Sequence, residues 1–353
     1  MQEAGKVMLH RALVRAEERQ TLAWAEDNSE RSYLRRNMLA GRLVTPLPHM
    51  YAIAEEWRKL GIEQRITVIL RSVALKNPRC TLCSLSAAWM LGLTDDVSLQ
   101  RKVHVLVPRG VSMRSGGDAV QRHESIGDSH GCVEIDGVHV PSVERVLLDC
   151  ARDLRFCDSL PIWEMAYRRD LTSPGRMQEY LESFSGPYKG IRAARLVWRY
   201  ANGHCENGGE SKAHAVILQL GFADPEIQVP FINPLTHREI RPDFLWRVKK
   251  GLLIAGELDG MRKYKDEAMR NGRDVEEVLV REKDRETALN SLGVLVVRFH
   301  MGDVRHPQEL RRKLSLIGVP RVFGAELKRR ERLEKLGNED YYGRSMLFSY
   351  EGH

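Results

Sequence analysis

The run Leu252-Leu253-Ile254-Ala255-Gly256-Glu257-Leu258-Asp259 constrains this chain more than any other stretch. It is apolar enough to be a strand inside a sheet, yet it closes on two acids. Period two puts Leu253, Ala255, Glu257 and Asp259 on one face. Taking carboxylates out of water is costly, so acids at the end of an apolar strand need a compensating partner. A divalent cation is the economical one, and pairing with neighbouring Arg and Lys is the alternative.

The surroundings of that strand spell helix, three strands, helix, strand over 205–317. Gly209 and Glu210 open a helix whose Ala213, Val216, Ile217 and Leu220 fall at i, i+3, i+4 and i+7, with Glu210 on the same stripe. Ile227, Val229 and Phe231 alternate before an Asn233-Pro234 turn, and an extended piece from Ile240 to Trp246 carries Asp243 inside it. A helix from Asp274 to Leu292 and a strand from Val294 to Phe299 complete the order. Asp243, Glu257 and Asp259, with Glu210 above them, are hard oxygen donors of the kind Mg²⁺ accepts. Such an ion leaves waters free to become a nucleophile at a phosphate.

A length of 353 residues predicts two or three domains. In 1–60, Asn28-Ser29 caps a helix carrying Arg31, Arg35 and Arg36; Gly41 ends it, and Arg42 to Val44 with Met50 to Ile53 read as a β-ribbon around Pro46 and Pro48. With apolar and charged positions at helical spacing over 6–26, the order helix, basic helix and two-stranded wing suggests a winged helix-turn-helix, in which the three arginines meet phosphates or guanine edges; a solvated helix face is the plain alternative. The middle, 61–204, mixes helices with alternating Val103, Val105 and Val107 and a tight hairpin around Asp136-Gly137. It carries no paired carboxylates and no nucleophile elbow, so it reads as a packing and linking module whose lone histidines are structural. Cys80 and Cys83 form a CxxC that no second pair completes, so they read as buried small hydrophobes rather than a zinc site.

The chain is mildly basic: Lys plus Arg is 55 and Asp plus Glu is 48, a net charge of +7. That excess permits nucleic acid as a partner without requiring it. No run approaches a membrane span and the polar N-terminus lacks a secretory apolar stretch, so a cytoplasmic protein without membrane association is expected. The basic run Leu327-Lys328-Arg329-Arg330-Glu331-Arg332 in the tail, 318–353, suits either a solvated helix or a DNA backbone.

Gly209-Glu210-Ser211, Arg241-Pro242-Asp243-Phe244, Glu257-Leu258-Asp259-Gly260 and Arg298-Phe299 together resemble the PD-(D/E)XK nuclease superfamily, above all its very-short-patch-repair-like endonuclease branch. Upstream, Leu85 to Ala88 with Gly92-Leu93, Val103 to Arg109 and Leu147-Leu148-Asp149 resemble the AbiEi-type antitoxin and transcriptional-regulator proteins. The resemblance implies a mixed α/β (α+β) chain: a winged helix, an α+β middle module and a restriction-endonuclease-like mixed sheet flanked by helices. It implies Asp243 as the metal-binding acid, Glu257 as the second acid and Glu210 as the helical acid, with Mg²⁺ or Mn²⁺ as cofactor and double-stranded DNA as partner. The superfamily's lysine, two residues after the second acid, is replaced by Asp259, which can add a metal ligand but not a positive charge. A replacement cation would come from Lys263, or from Lys283 in Glu282-Lys283-Asp284-Arg285, where helical phase makes Glu282 the inward residue. The expected function is a metal-dependent DNA endonuclease. The alternative is a non-catalytic antitoxin or transcriptional autoregulator of a toxin-antitoxin or phage-defence system, with a cognate toxin as a further partner.

Overall fold

The computed structural model describes residues 11–108, 117–125, 131–259, 275–342, 345 and 347. The chain is mixed α/β with several small sheets, and it divides into two compact units. One unit takes 1–153, 186–191 and 338–353; the other takes 154–185 and 192–337. Among the described residues no helix is long and apolar enough to cross a membrane.

In the first unit, helix α1 (Asn28–Leu39) starts where the Asp27 carboxylate accepts the Glu30 amide at 2.7 Å, a side-chain N-cap. Strands β1 (Leu43–Leu47) and β2 (Met50–Ile53) pair antiparallel behind it, and Leu34, Leu43 and Tyr51 join helix to ribbon in one buried cluster. Strand β3 (Thr81–Leu82) pairs antiparallel with β4 (Val103–Pro108), and β4 runs parallel to β5 (Val120–Ser125). Helix α2 (Ser84–Met90) lies between β3 and β4 in sequence. Strands β6 (Cys132–Ile135) and β7 (Val138–Pro141) form the expected hairpin. Asp136 and Gly137 have φ of +50° and +77°, the left-handed pair a two-residue turn of this hand needs. Helix α3 (Val143–Asp153) follows and buries most of its length against α2. Cys80 and Cys83 are buried free thiols.

The second unit begins with α4 (Phe156–Arg168), which packs on α5 (Gly208–Gln219); the Lys212 ammonium and the Asp158 carboxylate meet at 2.7 Å. Strands β8 (Glu226–Ile227), β9 (Phe231–Ile232) and β10 (Glu239–Ile240) are short, and β9 and β10 pair as a separate ribbon. Strands β11 (Phe244–Arg247), β12 (Leu253–Asp259) and β13 (Val294–His300) build a four-stranded sheet with β8, in the order β13-β12-β11-β8. β11 is antiparallel to β12, while β12 and β13 are parallel and are separated in the chain by α6 (Val275–Ser291). One face of this sheet, including Phe244, Trp246, Ile254 and Phe299, packs on Ala213 and Ile217 of α5 and on α7 (Met301–Arg305) and α8 (Pro307–Leu316). The other face, with Leu245, Ala255 and Val294, meets Leu289 of α6. A Cβ at position 256 would stand 3.0 Å from the Trp246 ring, so glycine here lets the indole pack closely on β12 without shifting.

Two expected strands are broken. The extended piece from Ile240 to Trp246 is split between β10 and β11, because Pro242 has no N–H to donate to a ladder. The alternating Ile227, Val229 and Phe231 are split at Gln228, whose φ of +54° turns the chain out of the sheet. Both breaks fall beside the acids.

Candidate functional site

Glu210 sits in the first turn of α5, 4% exposed, for a local reason. Asn207 caps the helix by accepting the Glu210 amide at 3.0 Å, and the Glu210 carboxylate in turn accepts from the Asn207 side-chain amide and from the Glu206 backbone N–H at 2.7 Å. This reciprocal pairing is a capping arrangement and stabilises the helix start. It also fixes the carboxylate in place. Gln228 Nε2 stands 3.4 Å from Glu210 Oε2 and 3.3 Å from Asp243 Oδ1, so a single amide group bridges the two acids.

Asp243 lies in the gap that Pro242 opens just before β11. Its Oδ2 accepts the Leu258 amide at 2.8 Å across to the neighbouring strand. The Phe244–Gly256 register pair places Asp243 opposite Glu257 one step further along. Glu257 is 6% exposed, and the Arg285 guanidinium of α6 approaches its Oε1 at 3.3 Å while also donating to the Arg241 carbonyl. Asp259 is more open and forms a 2.9 Å ion pair with Arg298 of β13, which also binds Glu286 at 3.0 Å. Glu210, Asp243, Glu257 and Asp259 thus stand at one end of the sheet, and no three of these carboxylates bring ligand atoms within 4.8 Å of one another among the described residues.

Mg²⁺ keeps several waters and needs only one or two carboxylates from the protein. The donor chemistry of Asp243 and Glu257 therefore fits a hard divalent ion, with Asp259 held aside by Arg298. Of the two lysines expected to replace the missing motif lysine, Lys263 lies outside the described residues. Lys283 is exposed on α6, and its ammonium forms no ion pair with described residues. The cation beside the second acid is instead Arg285, which sequence reasoning missed. Counting back one turn from the buried Leu289 reaches it, so the inward phase of α6 was its signal. The side chain of Glu282 lies outside the described residues.

At the other end of the chain, Arg31, Arg35 and Arg36 are exposed on α1. Arg31 Nη1 donates to Asn28 Oδ1 at 3.3 Å, and the Arg36 guanidinium lies over the Tyr33 ring at 5.5 Å. Burial raises the Tyr51 phenol on β2, and Arg35 and Arg31 oppose that rise, which sets both beside the ribbon. The basic run near the C-terminal end forms a helix, Gly324–Leu333, in which Arg329 and Arg330 both pair with Glu326. Arg330 is 2% exposed and lies over the Tyr200 ring at 4.7 Å, so this cation is spent on packing.

Among the described residues, one group brings three ligand atoms of His, Cys, Asp or Glu within 4.8 Å of one another: His104, His123 and Asp153. It lies in the first unit, which holds none of the acids singled out in the sequence.

No family model matches the chain. It is similar to two proteins of Mycobacterium tuberculosis, "Uncharacterized protein Rv2248" of strain H37Rv and "Uncharacterized protein MT2308" of strain CDC 1551. Each is 26% identical over 223 residues, a stretch that covers 63% of this chain and 75% of the relative.

Proposed function

We propose that this is a DNA-binding protein whose second unit carries a metal-dependent endonuclease-like site. The observation that supports it most is the placement of Asp243 and Glu257 at one register level on adjacent strands, with Glu210 tied to Asp243 through Gln228. The order of α5, the sheet strands, α6 and β13 is also that of the PD-(D/E)XK core. In this reading α1 and the β1–β2 ribbon act as a winged helix on duplex DNA, with Arg31, Arg35 and Arg36 on phosphates.

The chain's own residues would share the work as follows. Asp243 and Glu257 would hold a divalent ion, which when bound would lower the pKa of water and neutralise phosphate charge. The Leu258 amide and Gln228 hold Asp243 in position. Arg285 supplies positive charge beside Glu257, but a guanidinium cannot shed its proton, so it stabilises charge rather than acting as a base. Asp259 is engaged by Arg298 and takes no proton-transfer role.

A second reading, DNA or toxin binding without cleavage, is favoured by the arginines themselves. Arg285 approaches Glu257 and Arg298 pairs with Asp259, so both acids lie beside protein cations. Cleavage separates the two. The full chain incubated with supercoiled, linear and single-stranded DNA in Mg²⁺ or Mn²⁺ is expected to cut, and Asp243→Ala and Glu257→Ala are each expected to abolish cutting while duplex affinity stays within about threefold. Intact DNA in every condition, with duplex binding retained, would establish the regulator reading instead.

A further inference from the structure

The first unit holds a cavity of about 720 Å³, lined wholly by its own residues and within the usual size of a small-ligand pocket. Part of the lining is a polar chain. His104 Nδ1 and His123 Nε2 are 2.9 Å apart, and Arg152 Nη2 stands 3.3 Å from His123 Nδ1. Arg152 also binds Asp153 at two points, through Nε at 2.7 Å and Nη2 at 2.9 Å, while the Ser84 hydroxyl donates to the same carboxylate at 2.8 Å. A guanidinium can only donate, so His123 Nδ1 accepts and its proton sits on Nε2. His123 then donates to His104 Nδ1, leaving the His104 proton on Nε2. Both rings are neutral in this chain. Burial pushes His104 down to about 3 and His123 to about 4, with Arg152 among the cations that add to the shift.

Charge decides which ligand such a cavity accepts. The buried carboxylates Asp149 and Asp153 are matched by Arg145 and Arg152. Arg101, Lys102, Arg122 and Lys189 also line the cavity, against Asp153 as the one carboxylate in the lining among the described residues. The ammonium groups of Lys102 and Lys189 form no ion pair with described residues, yet both act on the histidines. A metal ion at His104, His123 and Asp153 would have to break the imidazole pair, displace a two-point guanidinium and sit beside the Lys102 and Lys189 ammonium groups. An anion meets the same field favourably.

We propose that this cavity binds a small phosphate-bearing anion of nucleotide size, with Lys102 and Lys189 on its phosphates. The excess of cations suits the several negative charges of a polyphosphate better than the single charge of a carboxylate. Tyr341, stacked on His104 with ring centroids 5.0 Å apart, and Tyr188 place aromatic surface beside those cations for the rest of the ligand. The cavity's lining belongs to the first unit and the sheet carboxylates to the second.

Calorimetric titration of the full chain with inorganic pyrophosphate, and separately with ATP, tests this. Saturable one-site binding of both probes is expected, weakened at least tenfold in Lys102→Ala/Lys189→Ala and largely restored in Lys102→Arg/Lys189→Arg. Because neither ammonium pairs with a described residue, the thermal midpoint of the alanine pair should match the parent. Three results would overturn the proposal: no saturation by either probe at millimolar concentration, affinity unchanged in the alanine pair, or Zn²⁺ binding lost in His123→Ala while pyrophosphate does not bind. Displacement of pyrophosphate by duplex DNA, with DNA affinity lost in the alanine pair, would assign the lysines to a nucleic-acid surface and overturn it as well.

Discussion

Glu257 and Asp259 lie two positions apart on one strand face, yet their surroundings make them unequal. Asp259 pairs with Arg298 where both side chains reach water, and such pairs contribute roughly 0–1 kcal/mol. Asp259→Ala is therefore expected to lower stability by less than about 1 kcal/mol in urea unfolding. Arg285→Ala removes the guanidinium beside a carboxylate that is 6% exposed, and a loss of roughly 1–3 kcal/mol is expected at neutral pH. A loss that vanishes in the Arg285→Ala/Glu257→Gln double variant would identify the stranded charge as its source. The histidines give a pH signature. Their folded values, about 3 and about 4, lie below the ordinary 6.5, so the unfolded chain binds more protons between those limits. Stability should thus fall as pH drops from about 6.5 towards 4, and His123→Gln should flatten that dependence in thermal melts. A variant as steep as the parent would place the titration elsewhere.

Elements with a clean period were legible in the sequence; those whose pairing is non-local were not. The capped helix bearing Arg31, the Asp136-Gly137 hairpin, the acid-ended strand and the helix-strand pair after it are all present within a residue or two of expectation. The strand through Asp243 was misread because period two runs unchanged through Pro242, while the missing N–H forces the chain out of the ladder. The His104–His123 pairing was invisible for a different reason. It depends on the parallel register that sets His104 beside Gln121 and Leu106 beside His123, nineteen positions apart in the chain. At this scale the basic helix is testable as a unit. Replacing Arg31, Arg35 and Arg36 together with alanine is expected to weaken duplex binding and to reduce the slope of log affinity against log salt by ~0.9 for each phosphate that is no longer neutralised. Unchanged slopes in a salt titration would move the DNA-binding surface off α1.

The whole molecule is two units threaded by one chain, which passes between them at 153/154, 185/186, 191/192 and 337/338. A cut at 204/205, where the helix-and-strand pattern of 205–317 begins in the sequence, removes α4 from α5 and the Asp158 partner from Lys212. A fragment of residues 205–317 is therefore expected to give broad amide resonances and an uncooperative melt, whereas residues 154–337 should melt more cooperatively. Sharp, dispersed spectra from the shorter fragment would show that its sheet and helices suffice.

That threading also sets an order of events at the ribosome. Tyr341, which stacks on His104, and the buried Leu347 belong to the first unit but leave the exit tunnel after all of the second. At about 5–20 residues per second, the roughly 190 residues between Asp153 and Tyr341 take on the order of 10–40 s to synthesise. Through that interval the nascent N-terminal half carries an unfinished core, and its completion waits until the residues from 338 onward have left the tunnel.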